Sequence, residues 1–165
     1  MNRTAEKPRP LPGIVTSHTR LDVVTRGHGF TDITQRIADW IGTTRFADGV
    51  VTIFIRHTSA SLIIQENTDP DVQRDLTDWL GRLAPEERNW RHSLEGPDDM
   101  PAHAKSAITA TSLSIPVIAR TLALGQWQAI YVVEHRAHRQ QREVIASFIG
   151  TCADRDSPSQ PDGSA

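Results

Sequence analysis

Two imidazoles, three carboxylates and an ammonium fall within fourteen residues, in His92-Ser-Leu-Glu95-Gly-Pro-Asp98-Asp99-Met-Pro-Ala-His103-Ala-Lys105. Imidazole and carboxylate are the ligands of zinc and other borderline divalent metals. They are also the usual general acids and bases. His92 and His103 are eleven residues apart, so they meet only if the chain between them folds back, and Gly96-Pro97 supplies a turn for that. Asp99 stands where a helix starting near Met100-Pro101 would take its cap, which gives it a purely structural role as an alternative.

Three other segments concentrate polar groups. Arg56-His57-Thr58-Ser59-Ala60-Ser61 separates two apolar runs and would expose His57 at a sheet rim, though an ordinary polar loop explains it equally well. No G-x-S-x-G elbow accompanies its serines. Glu66-Asn67-Thr68-Asp69-Pro70 runs from a strand end into a helix; Thr68 or Asp69 suffices as cap, which leaves Glu66 and Asn67 free for function. Glu134-His135-Arg136-Ala-His138-Arg139-Gln-Gln-Arg142 reads as a phosphate-binding cation cluster or a solvated basic loop. Glu134 ends an apolar run, and an inward acid needs a metal or an arginine beside it.

These residues require elements to hold them. Residues 14–25 are rich in β-branched side chains and predict a long strand. Thr31-Asp32 begins a helix whose apolar set is Ile33, Ile37, Trp40 and Ile41. Val50–Ile55 and Ser61–Gln65 read as buried strands. Asp69-Pro70 opens a helix with Val72, Leu76, Trp79, Leu80 and Leu83 on its apolar face. A third, short helix runs to about Thr109. Leu113–Ile118, Trp127–Glu134 and Arg142–Ile149 complete the strands. Short connections predict neighbouring strands pairing antiparallel, in a single compact α+β domain with about three helices.

The domain spans 13–152, between Pro-rich residues 1–12 and polar residues 153–165, both of which read as disordered. Twenty acidic residues against eighteen basic ones argue against a general nucleic-acid binder. The first ten residues lack the apolar core of a secretory signal, and no apolar run approaches the ~20 residues of a membrane span. The expectation is a cytoplasmic protein without nucleic-acid or membrane partners. The single cysteine, Cys152, lies in no activating pattern.

In this order the segments resemble the YjbQ family, whose members are often named secondary thiamine-phosphate synthase. The matching residues are His57-Thr-Ser-Ala-Ser-Leu, Glu66-Asn67-Thr-Asp69-Pro70-Asp-Val72, the whole of His92–Ser106, Ser112-Leu-Ser-Ile-Pro116, Leu124-Gly125-Gln-Trp127-Gln128 and Glu134-His135-Arg136. The match covers about residues 14–150. It departs from the family pattern at Ala110, at Ala119-Arg120, where a turn usually carries glycine, and at Gln126.

The resemblance implies a homotrimer with sites near subunit boundaries. It implies a divalent metal, Mg²⁺ or Zn²⁺, or an anion held by His57, His92 and His103. Glu66, Asn67, Glu95, Asp98, Asp99 and Glu134 are then the candidate catalytic residues. Lys105, Arg136, Trp127 and Gln128 are the candidate contacts to a phosphorylated substrate. The implied activity is weak formation of thiamine phosphate. A hydroxymethylpyrimidine diphosphate loses pyrophosphate, and the resulting pyrimidinyl cation is trapped by the nitrogen of a thiazole phosphate. A metal- or phosphometabolite-binding module without turnover and a metal-dependent hydrolase are the alternatives, because the same ligands serve all three.

Overall fold

Alternation of period two builds most of this fold. The computed structural model describes residues 13–152; the segments 1–12 and 153–165, with their expected disorder, lie outside the described residues. Eight strands and three helices follow one another as β1 (Val15–Val24), β2 (Gly29–Asp32), α1 (Thr34–Thr43), β3 (Phe46–Ile55), β4 (Ala60–Glu66), α2 (Pro70–Leu83), α3 (Asp99–Ala107), β5 (Ser112–Ile118), β6 (Thr121–Leu122), β7 (Gln128–Glu134) and β8 (Gln141–Cys152). The α+β class and the three helices match the expectation from sequence.

All strand pairs are antiparallel, in a five-stranded sheet of order β1-β8-β3-β5-β6 and a three-stranded sheet of order β2-β7-β4. Pairing between neighbours in sequence, as the short connections suggested, occurs only at β5–β6. The other ladders join distant segments, because β8 inserts between β1 and β3 and β7 between β2 and β4. The short strands β2 and β6 were not legible as strands.

Inward residues of the large sheet (Val51, Ile53, Ile55, Ile115, Val144, Phe148) meet those of the small one (Leu62, Ile130, Val132) in one core, joined by Ile37 and Ile41 of α1. The far face of the small sheet carries α2 and α3. Gln73 of α2 donates to Tyr131 Oη at 3.1 Å, and Ser106 Oγ of α3 donates to the Ala60 carbonyl at 3.2 Å. β7 is thus covered on both sides, which explains its continuous burial from Ala129 to Glu134.

Asp69 caps α2 by accepting from Asp71 N, as its sequence foretells. The apolar face of α2 is only partly used. Leu80 is buried, whereas Trp79 and Leu83 stay half exposed.

Gly49 and Gly150 are register partners under the Phe148 ring, where a Cβ on either would strike the facing backbone. The Ala119-Arg120 turn is strained, with φ of 48° and 68° at two non-glycine residues. Left-handed backbone costs an L-residue roughly 1–2 kcal/mol. Ala119→Gly is therefore expected to gain about 1 kcal/mol and raise Tm by roughly 2–4 °C in thermal unfolding, net of the unfolded-state entropy of glycine. An unchanged or lower Tm would mean that the turn is not strained.

Candidate functional site

α3 sets the site. Asp99 and His103 lie four apart, on one face of the helix. The segment between α2 and α3, turning at Gly96 with φ of 108°, brings His92 back onto that face. Asp99 does not cap the helix; its carboxylate, on a residue only 1% exposed, turns inward to the two imidazoles. His92 Nε2 stands 2.7 Å and His103 Nε2 3.3 Å from Asp99 Oδ2, and all three ligand atoms lie within 4.8 Å of one another.

The tautomer of His103 follows from its other nitrogen. Nδ1 lies 3.0 Å from the Thr58 carbonyl, which can only accept, so Nδ1 carries the proton. Nε2 then points a lone pair at a carboxylate oxygen. That contact is repulsive unless a cation, either a proton or a metal ion, lies between them. A backbone carbonyl fixing Nδ1–H is also the usual outer partner of a metal-bound histidine. Arg136 Nη1 holds the opposite oxygen of Asp99, orienting the carboxylate.

The other candidates divide into four groups. His57 does not join the cluster. Its Nε2 accepts from the Glu143 N–H at 2.8 Å, and Nδ1 faces the Arg142 guanidinium at 3.4 Å. No lone pair is left for a metal, and burial together with Arg142 pushes this imidazole below its ordinary pKa.

Glu134, Asp98 and Arg136 form the scaffold behind the cluster. Glu134 accepts from Arg142 at 2.7 and 2.5 Å, from Thr25 Oγ1 at 2.7 Å and from Arg136 N at 3.0 Å. Burial opposes its ionisation, but these donors outweigh it and hold the carboxyl below the usual range. Asp98 is likewise held low against burial, by Arg136 Nε at 2.9 Å and Ala137 N at 2.8 Å. Asp98, Asp99 and the Glu95 carbonyl take four of the five N–H donors of the Arg136 guanidinium, which leaves one Nη1–H and no two-pronged clamp for a phosphate. Glu95 contributes that carbonyl, and its side chain is exposed.

Glu66, Asn67, Trp127 and Gln128 meet one another, not the histidines. Glu66 and Gln128 are register partners, and Asn67 N donates to the Trp127 carbonyl at 3.1 Å. They occupy the opposite end of β7 from Glu134, six residues or roughly 20 Å away. Lys105 is buried and departs from α3 on a different side from His103. Burial, only partly offset by Glu86 and Asp98, lowers its pKa.

A model of the family described as UPF0047 protein YjbQ-like matches residues 19–151. The chain belongs to this family. A UPF0047 protein of Synechocystis is 47% identical to this YjbQ-family chain over 131 residues, 79% of this chain and 89% of that one. The YjbQ protein of Escherichia coli O157:H7 is 37% identical, covering 79% and 95%. Among solved structures, a conserved hypothetical protein of Thermus thermophilus aligns with TM-score 0.70 at 34% identity, over 78% of this chain and 97% of that one. A YbjQ-like protein of unknown function from Sulfolobus solfataricus aligns with TM-score 0.73 at 21% identity, over 82% and 99%, a likeness of fold. No helix of this YjbQ-family chain among the described residues is long and apolar enough to cross a membrane.

Sequence reasoning missed two parts of the site region. The Asp99/His103 pair was visible as an i, i+4 spacing but was hidden by the capping role given to Asp99. His135 had no signal beyond its place after an apolar strand. It is 1% exposed, with Nε2 2.8 Å from Ser61 Oγ, and burial reinforced by the charge of Lys105 lowers its pKa to about 4. The folded state therefore resists a proton that the unfolded chain accepts near pH 6.5. Stability should be full above about pH 6.5 and fall as the pH drops toward 4, by about 3 kcal/mol in all. Urea unfolding at a series of pH values checks this: His135→Gln should flatten the slope, and an unchanged slope would refute the assignment.

Proposed function

We propose that His92, Asp99 and His103 hold a borderline divalent cation and present it to a phosphorylated small molecule. The observation that carries this reading is the Nδ1–H of His103 committed to Thr58, which aims Nε2 at Asp99 Oδ2 with a cation required between them. Two imidazoles and one carboxylate suit zinc, iron and similar ions; Mg²⁺ prefers a shell of oxygens and fits this set poorly. Such an ion supplies Lewis acidity toward a phosphoryl oxygen, or a water of lowered pKa. The residues contribute orientation: Thr58 fixes His103, Arg136 fixes Asp99, and Asp98 and Glu95 fix Arg136.

Thiamine phosphate formation is the specific form of this chemistry that the family resemblance suggests. Charge building on a departing pyrophosphate needs a cation beside it. The donor set supports that role for a metal, but Arg136 does not support it as a two-pronged phosphate clamp, because four of its five N–H donors are taken. The hydrolytic reading gains from the same arrangement, since three protein ligands leave room for water.

The experiment is metal analysis of the purified protein, followed by assays of thiamine phosphate formation and phosphoester hydrolysis with Zn²⁺, Mn²⁺ or Mg²⁺ restored. About one ion per chain with metal-dependent turnover in either assay supports the proposal and selects its form. An ion without turnover leaves a binding module. Absence of any bound ion at saturating Zn²⁺ refutes the centre.

Self-association belongs to the same proposal. The outer face of the large sheet carries Val50, Pro116 and Ile149 in one row, with Ile118 beside it, all exposed, and Phe54 stands apart beyond the polar row of Thr52, Ser114 and Ser147. Contiguous apolar surface of this kind marks an interface. Light scattering is expected to give a trimer that Ile149→Asp dissociates; a monomeric parent protein would end the idea.

A further inference from the structure

α3 carries an unexplained cation beside the candidate centre. Lys105 is only 5% exposed, and among the described residues no carboxylate comes within ion-pair distance of it. The ammonium makes no hydrogen bond to the protein, yet it is not sealed from water, so on a residue this buried it is left open toward a partner from solution. Its side chain opens into a cavity of about 220 Å³ between α2, the start of β2 and the end of β7. His28, Thr77, Leu80, Val133 and His135 share that lining, and His92, Asp99 and His103 do not. Successive helical residues turn ~100°, so Lys105 projects nearly opposite to His103. The cavity is therefore a separate compartment, on the other side of the helix from the three ligands.

We infer that this cavity is an anion subsite, in which Lys105 pairs with the phosphate or carboxylate end of a small molecule. Glu134 lines the same wall but cannot serve, because Arg142, Thr25 and Arg136 N already take its oxygens. Glu86 and Glu87 also line the cavity, but both are exposed, and neither pairs with the lysine. Leu80, Ala84 and Val133 give the body of the ligand an apolar wall, and His28 adds a donor. The volume lies below the ~300–1,000 Å³ of drug-sized pockets, which limits the ligand to a small metabolite. Nothing in this inference depends on a metal being bound.

The test uses the full chain, freed of metal with a chelator and then dialysed. Inorganic phosphate and acetate are titrated separately while the histidine ring resonances are followed. Saturable binding of either anion below ~1 mM, read at His28 and His135, is expected; the anion that saturates identifies the ligand's acidic group. Lys105→Met should weaken it at least 10-fold, Lys105→Arg should restore it, and His103→Ala should leave it unchanged. No saturation by either anion, equal binding by the methionine variant, or shifts confined to His92 and His103 would overturn the subsite. If Lys105→Met fails to fold, Lys105→Gln takes its place under the same criteria. Because the metal is removed, failure here leaves the candidate centre untouched, and failure of the centre leaves this result standing.

Discussion

His103→Ala is expected to weaken Zn²⁺ binding about 100-fold, close to 2.7 kcal/mol, while the chain stays folded. Removing an outer partner of a metal ligand costs 10–100-fold, and His103 is itself one of only three protein donors. The fold should survive because the imidazole is partly exposed and its loss breaks one hydrogen bond, to Thr58. Competition with a chromophoric chelator measures the affinity, and circular dichroism checks the fold. His57→Ala is the control, since both its ring nitrogens face Glu143 N and Arg142. Equal losses in the two variants would mean that His57 is a ligand after all and that the three-residue assignment is wrong.

Arg142→Ala should cost about 3–5 kcal/mol, a large share of the 5–15 kcal/mol that stabilises a typical domain. The guanidinium is the main counter-charge of Glu134, which is 2% exposed and would be left with Thr25 and one backbone N–H. Much of the cost is the stranded carboxylate rather than the lost attraction. The double variant Glu134→Leu/Arg142→Met should therefore recover most of it. Denaturant unfolding of the three proteins decides the matter. A single-variant loss under about 1 kcal/mol would show that water reaches Glu134 and that the pair is not an anchor.

Much of the architecture was legible because it rests on local signals. Asp69-Pro70 announced α2, the apolar run Val50–Ile55 announced β3, and Arg142–Ile149 announced β8, each within a few positions. The sheet order was not legible, because which strands pair depends on contacts across the whole chain; the β1–β8 ladder joins Val15 to Gly150. Within the site, Asp99 and His103 share a helix, so their meeting is a local property, whereas the approach of His92 depends on an irregular segment. Arg142 shows a signal that was present and misread. It stands in phase with Val144, Ala146 and Phe148 on the inward side of β8, so period two marked it as buried, although its neighbours suggested a solvated loop. The separation of Glu66 and Trp127 from the histidines lay beyond any one-dimensional reading. Those segments flank His92 and His103 in sequence but meet at the far end of β7 in space.

The position of β8 has a consequence for biosynthesis. Among the described strands the last to leave the ribosome is the second strand of the large sheet, wedged between β1 and β3, which are made long before it. Until Gln141–Cys152 emerges, β1 has no partner in its sheet and β3 presents an open edge, the kind of surface that pairs with other chains. Glu134 is also synthesised before Arg142, so the nascent core waits with an unmatched acid at its centre. A chain stalled before residue 141 should therefore be recognised as unfinished, whereas the arrival of β8 pairs β1, covers the open side of β3 and neutralises Glu134 in a single step.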